Sequence, residues 1–393
     1  TMDKVSHKGQ ELRRVSVFGS TGSVGCNTVS MLECNPEKYQ IQALTGGSNI
    51  KLLAQQAWRL RPKMALVSNS NLYHELKREL SGSGVVVGAG EDAIVEAAAI
   101  PTDWIMASIV GMAGLAPTLT AIKQGGVVAL ANKECLVSAG VLFTEEVEKY
   151  GAHLLPVDSE HNGIFQVFDF DRPEWIEKIV LTASGGPFRS CNLEEMQNAT
   201  PDQALMHPNW SMGKKISIDS ATMMNKGLER IEAFHLFPVA RNQIEIVVHP
   251  QSIVHSMVVY RDGSVLAQMG IPDMRMPIAH TLAWPSRIEV SGNKLDLCKI
   301  GQLTFESPSE SRFPALRVAR EALEAGGGVP AIMNAANEVA VEGFLTRRIG
   351  FLEIVQIVEK TISKLAGVEA NSLEEVCEID KESRDIAIEF MKR

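Results

Sequence analysis

The chain has 393 residues, of which 45% are hydrophobic and 22% are charged, a composition typical of a globular protein with two or three domains. Its 38 Lys and Arg residues against 47 Asp and Glu residues give a formal net charge of −9, and no long basic run is present. We therefore expect no nucleic-acid partner and no anionic-membrane partner.

Cysteine usage and the first residues bear on the cellular compartment. The six cysteines are scattered without a C-x-x-C pair, so neither a zinc knuckle nor a disulfide framework is predicted. The residues before Val15 are polar and lack the apolar segment of a secretion signal. The longest apolar stretch, at 105–119, is too short to cross a bilayer. These features predict a cytoplasmic protein.

The first 157 residues predict a Rossmann-like domain. Short β-branched runs alternate with segments of helical periodicity, which indicates a parallel sheet with helices on both faces. The runs that predict strands are VSVF, QIQAL, MALVS, VVVG, WIMASIV, VVALA and HLLPVD.

The pattern changes after this domain. IEKIVLTAS, IEIVVHPQSIVHSMVVY and SVLAQMG predict an open mixed or antiparallel sheet in a central α/β (α+β) domain at 158–285. The polar connection at about 186–216 predicts a mobile lid loop. After a linker at 286–312, the segment 313–393 has a helical pattern, so we expect a C-terminal helical domain.

A glycine-rich turn follows the first predicted strand. Gly19, Gly22 and Gly25 precede a helix, where glycines let the backbone approach a pyrophosphate and the helix N-terminus binds its charge. The spacing G-x-x-G-x-x-G is not the commoner G-x-G-x-x-G, and the alternative is a tight turn without a ligand. Its position in a βαβ pattern favours a dinucleotide site. The second strand ends in TGGSNIK, which has no acid to repel a 2′-phosphate, so we expect NADPH rather than NADH.

Two carboxylates follow the last strand of the first domain. Asp158 and Glu160 lie two residues apart, and in an extended segment they would point to the same side. Converging carboxylates suit Mg²⁺ or Mn²⁺, and Glu229 is the candidate third ligand. The alternative for the D-x-E pattern alone is a solvated acidic turn.

Polar donors accompany this acidic pair. Ser220, Asn225 and Lys226 lie close to Glu229 in the chain, and Ser184 precedes two glycines. Hydroxyl, amide and ammonium donors suit a phosphate, although each residue alone is equally typical of an exposed surface.

Three further segments carry candidate residues. Trp210 predicts a lid that closes over a substrate, against the alternative that it packs on its own domain. The Asn132–Glu134 segment follows a strand, where open α/β sheets bind ligands, or it is simply the first turn of a helix. His249 and His255 lie in a strand pattern, and we interpret them as structural or interface residues.

Seven motifs then occur in the order of a known family: GSTGSVG, ANKE, VDSEHN, SGGPFR, HPNWSMG, DSATMMNKGLE and MNAANEVAV. Over nearly its whole length the chain resembles the 1-deoxy-D-xylulose 5-phosphate reductoisomerases. The resemblance implies an oxidoreductase that uses NADPH and a divalent cation (Mg²⁺, Mn²⁺ or Co²⁺). Its reaction would rearrange and reduce 1-deoxy-D-xylulose 5-phosphate to 2-C-methyl-D-erythritol 4-phosphate in non-mevalonate isoprenoid biosynthesis. A homodimer, an NADPH-binding domain at 1–157 and dimerisation through the central domain are implied as well.

The same resemblance implies roles for individual residues. The implied metal ligands are Asp158, Glu160 and Glu229, and the implied catalytic residues are Lys133, Glu160 and Glu229, which would also touch the substrate. Further implied substrate contacts are Ser159, Ser184, His207, Trp210, Ser220, Asn225 and Lys226. The implied NADPH contacts are Thr21, Gly22, Ser23, Val24, Gly47, Ser48, Asn49, Asn132, Glu134 and Gly213. His161 is not required as a catalytic group, and a supporting role is expected for it.

Two other functions are weighed against this one. Another NADPH-dependent sugar-phosphate or semialdehyde dehydrogenase would share the glycine turn, but those that form a thioester need a cysteine beside a base. A non-catalytic NADP-binding regulator would keep the glycine turn and could dispense with the three carboxylates and the phosphate donors. The carboxylate set discriminates against both.

Overall fold

The computed structural model describes residues 12–207, 212–365 and 367–392. The chain divides into two compact units. The first contains Thr1–Ala131, Lys149–Leu155 and Leu282–Pro285, and the second contains Asn132–Glu148, Pro156–Thr281 and Ser286–Arg393. The predicted domain boundaries at 157, 285 and 312 stay a prediction.

A seven-stranded sheet forms the centre of the first unit. Its strands are β1 (Arg13–Phe18), β2 (Tyr39–Gly46), β3 (Met64–Val67), β4 (Val86–Ala89), β5 (Trp104–Ala107), β6 (Val127–Leu130) and β7 (His153–Pro156). Their order is β4-β3-β2-β1-β5-β6-β7, and the pairs from β4 to β6 are parallel. All seven predicted strands are confirmed. The order changes direction beside β1, the position in such sheets where ligands bind outside the carboxyl ends of the strands.

Helices connect these strands: α1 (Ser23–Glu33), α2 (Ile50–Leu60), α3 (Tyr73–Glu79), α4 (Glu91–Ala98), α5 (Leu115–Ile122) and α6 (Lys133–Tyr150). In the central strand β1, Val15 and Val17 are completely buried, and so is the neighbouring Ser16. Because successive strand residues point to opposite faces, both faces of the sheet are covered, as the continuous apolar runs indicate.

The second unit contains a smaller mixed sheet. Its strands are β8 (Ile176–Ala183), β9 (Ile244–Val248), β10 (Val254–Tyr260) and β11 (Val265–Met269), in the order β11-β10-β8-β9. The β8–β9 pair is parallel and the other two pairs are antiparallel, which confirms the predicted open mixed sheet.

The remaining helices are α7 (Ser159–Val167), α8 (Leu193–Gln197), α9 (Pro201–Ala204), α10 (Lys214–Thr222), α11 (Met224–Leu236), α12 (Arg275–Ala283), α13 (Leu297–Ile300), α14 (Ala315–Ala325), α15 (Val329–Leu345), α16 (Glu353–Lys364) and α17 (Leu373–Met391). The helical pattern predicted from residue 313 onward is confirmed. One hydrophobic core contains Ile179 of β8, Ile231 of α11 and Leu316 of α14. The C-terminal helices therefore share the core of the mixed sheet.

Two short helices, α8 and α9, lie in the described part of the connection at 186–216. Asn192 with Glu195 and Thr200 with Gln203 form capping boxes at the starts of α8 and α9. In a capping box the N-cap side chain and the residue three positions later satisfy each other's backbone N–H groups, which stabilises even a short helix. Among the described residues, no helix has the length and apolar content needed to cross a membrane.

Candidate active site

The glycine turn between β1 and α1 brings backbone segments so close together that side chains do not fit at two of its positions. Gly19 has a φ of +87°, and a Cβ there would lie 2.7 Å from the backbone oxygen of Ser108. A Cβ at Gly25 would lie 2.1 Å from the backbone oxygen of Gly19, so both positions require glycine. Gly22, the N-cap of α1, has no side chain to occupy the N–H groups at the start of the helix. The turn therefore offers backbone donors to an anion.

The other predicted cofactor contacts of the first unit lie in this turn and in the next one. They are Thr21 between β1 and α1, Ser23 and Val24 in the first turn of α1, and Gly47, Ser48 and Asn49 between β2 and α2. Because β1 and β2 pair in parallel, both turns lie at the same edge of the sheet. Asn49 also caps α2, since its Oδ1 accepts from the Leu52 backbone N–H at 3.2 Å. The structure therefore brings these two turns together.

Three carboxylates form the centre of a site in the second unit. One oxygen each of Asp158, Glu160 and Glu229 lies within 4.8 Å of the other two. Asp158 is the N-cap of α7 and accepts from the Glu160 backbone N–H at 3.4 Å. The prediction that this pair lies in an extended segment is wrong. The two carboxylates converge because one caps a helix and the other lies in its first turn, while Glu229 approaches from α11.

The donor set fits a divalent cation. All three groups are hard oxygen ligands, which Mg²⁺ and Mn²⁺ prefer, and each is buried or half-buried. Asp158, Glu160 and Glu229 are thus the residues that could hold such an ion.

Two lysines partly balance the three carboxylates. The Nζ of Lys133 forms an ion pair with Asp158 and lies 3.3 Å from Oε1 of Glu229. The Nζ of Lys226 lies 2.5 Å from Oε2 of Glu229 and 3.8 Å from Oε1 of Glu160. Both lysine side chains are only 7% exposed, so their charges are held by the carboxylates and not by water.

Burial and charge shift the pKa values of this cluster. Burial lowers the pKa of Lys133, but Asp158 and Glu229 raise it by more, so it lies well above its ordinary value. Burial raises the pKa of Asp158, but the Lys133 ammonium, the Glu160 contact and the charges of His161 and Lys226 together lower it by more, and Asp158 stays ionised. Burial raises the pKa of Glu160, Lys226 opposes this and Glu229 adds to it, so the result is well above the ordinary value. A cation bound among the carboxylates would lower the pKa of Glu160 again.

Two of the predicted phosphate donors, Ser184 and Ser220, lie next to the turn at Gly186. The Oγ of Ser184, at the end of β8, accepts from the Gly186 backbone N–H at 3.1 Å and lies 3.0 Å from Nε2 of His207. A Cβ at Gly186 would lie 2.6 Å from the backbone oxygen of Ser220, so this turn packs directly on α10. Burial, with the charge of Lys226, lowers the pKa of His207 to about 4, so its imidazole is neutral at neutral pH.

Asn225 belongs to the carboxylate cluster in this structure. Its Nδ2 donates to Oε1 of Glu229 at 2.6 Å, and its Oδ1 accepts from the Nζ of Lys133 at 2.8 Å. A bound phosphate would compete with Glu229 for the amide of Asn225 and the ammonium of Lys226.

His161 is completely buried and holds the backbone of Glu229 through a hydrogen bond. Its Nε2 lies 2.9 Å from the backbone oxygen of Glu229 and donates to it, and its Nδ1 lies 3.1 Å from Oε2 of Glu232. Burial lowers the pKa of His161, but Glu232 raises it by more, to about 9. This contact agrees with the supporting role expected from the sequence.

Four other predicted contacts have defined positions. Asn132 accepts from the Cys135 backbone N–H at 3.3 Å at the start of α6, and Glu134 pairs with Lys215 at 2.8 Å. Ser159 donates to Glu160 at 3.0 Å, and Gly213 is the N-cap of α10. Trp210 lies outside the described residues.

The interpretation of His249 as a structural residue agrees with its contacts. Its Nδ1 lies 2.8 Å from the backbone oxygen of Thr304, and its Nε2 accepts from the backbone N–H groups of Ile253 and Val254 at 3.2 and 3.1 Å. His255 is buried in β10, and burial lowers its pKa to about 4.

Sequence reasoning missed four polar residues around the site: Lys215, Asp219, Glu232 and Asn337. Glu232 could have been found, because it lies one helical turn after Glu229 on the same face of α11. Asn337 contacts Asp219 across 118 positions of the chain, and no local pattern connects them.

Comparisons with protein-family models and with known proteins point to the same enzyme family over nearly the whole chain. Residues 15–140 match the family model "1-deoxy-D-xylulose 5-phosphate reductoisomerase", residues 154–237 match its C-terminal domain, and residues 269–386 match "DXP reductoisomerase C-terminal domain". Over 383 residues the chain is 56% identical to the 1-deoxy-D-xylulose 5-phosphate reductoisomerase of Rhodospirillum centenum, which covers 98% of this chain and 95% of the relative. The enzyme of the same name from Zymomonas mobilis is 54% identical over 380 residues, or 97% of this chain and 98% of the relative.

Solved structures show the same similarity. The Zymomonas mobilis reductoisomerase in complex with NADPH has a TM-score of 0.93 and 53% identity, with 97% of this chain and 99% of that chain covered. A DOX-P reductoisomerase in complex with NADPH, fosmidomycin and magnesium has a TM-score of 0.91 and 41% identity, with 97% and 98% covered.

Proposed function

The chain belongs to the 1-deoxy-D-xylulose 5-phosphate reductoisomerase family, and we propose that the Asp158–Glu160–Glu229 cluster with Lys133 is the centre of its reaction. The activity is the NADPH- and metal-dependent conversion of 1-deoxy-D-xylulose 5-phosphate to 2-C-methyl-D-erythritol 4-phosphate. The observation that carries the site proposal is the convergence of three buried or half-buried carboxylates with two buried lysines from three separate segments.

The carboxylates are proposed to hold the cation. Asp158, Glu160 and Glu229 would each supply an oxygen, while His161 holds the backbone of Glu229 in place. When bound, a divalent cation supplies Lewis-acid polarisation of substrate oxygens, and NADPH supplies the hydride.

Two side chains are proposed to handle protons. Lys133 keeps its proton at neutral pH because Asp158 and Glu229 raise its pKa, so its Nζ can donate a hydrogen bond or a proton to a substrate oxygen. Glu160 accepts a hydrogen bond from the Ser159 hydroxyl at 3.0 Å, and it is proposed to act as the base, in its carboxylate form, because a bound cation would lower its pKa.

The remote end of the substrate is proposed to bind at the predicted phosphate donors. Ser184, Ser220, Asn225 and Lys226 would hold the phosphate, and neutral His207 would position the Ser184 hydroxyl. Binding energy collected at a phosphate that does not react can orient the carbons that do. Trp210 as a lid residue stays a prediction.

The cofactor is proposed to bind at the two turns of the first unit. The glycine turn would hold the pyrophosphate through backbone N–H groups, and the turn that contains Gly47, Ser48 and Asn49 would accept the 2′-phosphate. Asn132, Glu134 and Gly213 as cofactor contacts stay a prediction.

A spectrophotometric assay of NADPH oxidation tests the function. Oxidation should require both 1-deoxy-D-xylulose 5-phosphate and a divalent cation, and it should stop with a chelator and resume with excess Mg²⁺. Turnover that persists after exhaustive chelation, or that occurs equally with a simple semialdehyde, would contradict the proposal.

We also propose that the protein works as a cytoplasmic homodimer. Strand β11 ends the mixed sheet and pairs only with β10 among the described strands, while Val265 and Leu266 on it are 51% and 48% exposed. An apolar edge strand of this kind is normally covered, and a second copy would cover it. Sedimentation should give a dimer mass, and Leu266→Lys should shift it toward the monomer. A wild-type monomer at micromolar concentration would overturn this assembly.

A further inference from the structure

The motif MNAANEVAV has no role in the site described so far. It lies in α15, where Asn334 and Asn337 are completely buried. Asparagine is a poor helix former, and a buried amide costs free energy unless it is hydrogen-bonded. Two buried asparagines in the middle of a helix therefore indicate a specific polar contact.

Asn337 makes that contact with α10. Its Nδ2 donates to Oδ1 of Asp219 at 2.8 Å, and Asp219 is 1% exposed. The other oxygen of Asp219, Oδ2, lies 2.8 Å from the Nζ of Lys215, which also lies 2.8 Å from Oε1 of Glu134 on α6. Four side chains thus connect α15 to α10 and α6.

Carboxylates on either side hold the Lys215 ammonium in this network of side chains. Burial lowers the pKa of Lys215, but Asp219, Glu134 and Glu338 raise it by more, so the ammonium is charged. Glu338 is itself held, because its Oε2 pairs with Arg384 of α17 at 2.5 Å. The network is therefore anchored in the C-terminal helices and ends at α6.

Two members of this network adjoin a residue of the proposed site. Glu134 follows Lys133, and Asp219 precedes Ser220. Successive residues of a helix point about 100° apart, so an Asp219 fixed to α15 determines the direction of the Ser220 side chain. Only Met223, with a φ of +66°, separates α10 from α11. The position of α10 therefore also fixes the start of α11, where Asn225 lies in the first turn.

We propose that Asn337 is a positioning residue for the reaction: through Asp219, Lys215 and Glu134 it holds α10 and α6 so that Ser220 and Lys133 face one substrate. This inference rests on the proposed function, since it assigns Asn337 an effect on the phosphate-binding group of that site. A purely structural residue would change the amount of folded protein and leave the KM of the folded fraction unchanged.

A double-mutant cycle separates these cases. Asn337→Leu removes the amide at similar volume and should raise the KM for 1-deoxy-D-xylulose 5-phosphate about tenfold, because small displacements of positioning groups have large kinetic effects. In a Ser220→Ala background the same substitution should raise KM by much less, since the group that it positions is already absent. Lys215→Gln, at a side chain that is 25% exposed and so easier to replace, should repeat this result.

Thr361→Val is the matched control. Thr361 is a completely buried residue of α16 whose Oγ1 donates to the Ile357 backbone oxygen at 2.8 Å, and this contact stays within α16. The control should lower the melting temperature while KM stays at the wild-type value in both backgrounds. Wild-type KM in both Asn337→Leu and Lys215→Gln, or effects that multiply fully with Ser220→Ala, would overturn the inference. Absence of turnover in the wild-type protein would instead contradict the proposed function.

Discussion

The glycine turn of the first unit and the carboxylate–lysine cluster of the second unit are built on opposite principles. The turn uses backbone N–H groups and positions where only glycine fits, and the residues from Gly19 to Gly25 include none that is charged. The cluster uses buried or half-buried charges from α6, α7 and α11 that hold one another in place. A backbone site depends on shape and tolerates no added atom, whereas a side-chain site depends on charge balance and tolerates no lost charge.

The largest expected effect comes from removing one charge of the cluster. Glu229→Gln should lower kcat by roughly a thousandfold or more, because it removes a proposed cation ligand that also pairs with both Lys133 and Lys226. NADPH affinity, measured by fluorescence titration, should stay within about twofold of wild type if the two sites depend on different groups.

The exposed Glu245→Gln is a suitable control, since Glu245 forms only a surface pair with Lys178 and should leave turnover unchanged. Retained turnover in Glu229→Gln would remove that residue from the ligand set.

The next largest effect should come from adding one carbon to the glycine turn. Gly25→Ala would place a Cβ against the backbone oxygen of Gly19, so the turn must shift and NADPH affinity should fall about a hundredfold. Mn²⁺ affinity, measured by calorimetry, should not change. Ser30→Ala, an exposed position on the same helix, serves as the control. Unaltered NADPH affinity in Gly25→Ala would contradict the proposal that backbone N–H groups of the glycine turn bind the cofactor.

Lys226→Ala should act mainly on substrate binding. It removes a proposed phosphate donor, and a charged hydrogen bond of this kind corresponds to about a tenfold to hundredfold change in KM. The loss of Lys226 also leaves Glu160 and Glu229 less neutralised, so kcat should fall by a smaller factor. Steady-state kinetics with Lys178→Ala as a surface control distinguishes these effects. An unchanged KM would exclude Lys226 from phosphate binding.

The smallest expected effect is the response of the second unit to acid. Burial is the main cause that lowers the pKa of His207, His235, His255 and His280 to about 4, and all four lie in this unit. A histidine whose folded pKa is below its unfolded value of about 6.5 binds its proton more readily when unfolded. Its contribution is therefore complete above pH 6.5 or so and is lost as the pH falls toward about 4.

The fully buried His255 is the suitable probe of this effect. The free energy of unfolding should fall between about pH 6.5 and 4.5, and His255→Phe should make the fall shallower by on the order of 1 kcal/mol. Urea unfolding at both pH values, with hydrogen exchange to assign the loss to the second unit, measures it. Equal slopes for the variant and the wild type would show that His255 does not contribute.

Features formed by residues close together in the chain, such as strands, could be predicted from the sequence, whereas the geometry of the carboxylate cluster could not. The strands of both sheets could be predicted because buried parallel strands are apolar throughout and the strands of the mixed sheet carry strong β-branched runs. The acidic pair does converge with Glu229, but the geometric reason given for it was wrong, since Asp158 caps α7 and does not continue a strand. The capping boxes at Asn192 and Thr200 were readable in the sequence, and the composition of the loop obscured them.

The order of strands and helices, the glycine-only turn and the family to which the chain belongs all follow from the sequence alone. Each of these depends on residues close together in the chain or on short motifs in a fixed order. The packing of the helices sets which charged and amide groups meet: Asn225 donates to Glu229, His161 donates to the backbone oxygen of Glu229, and Asn337 donates to Asp219. The physical reason is that buried charges and amides are satisfied across helices that pack together, and helix packing brings together residues that no local pattern connects.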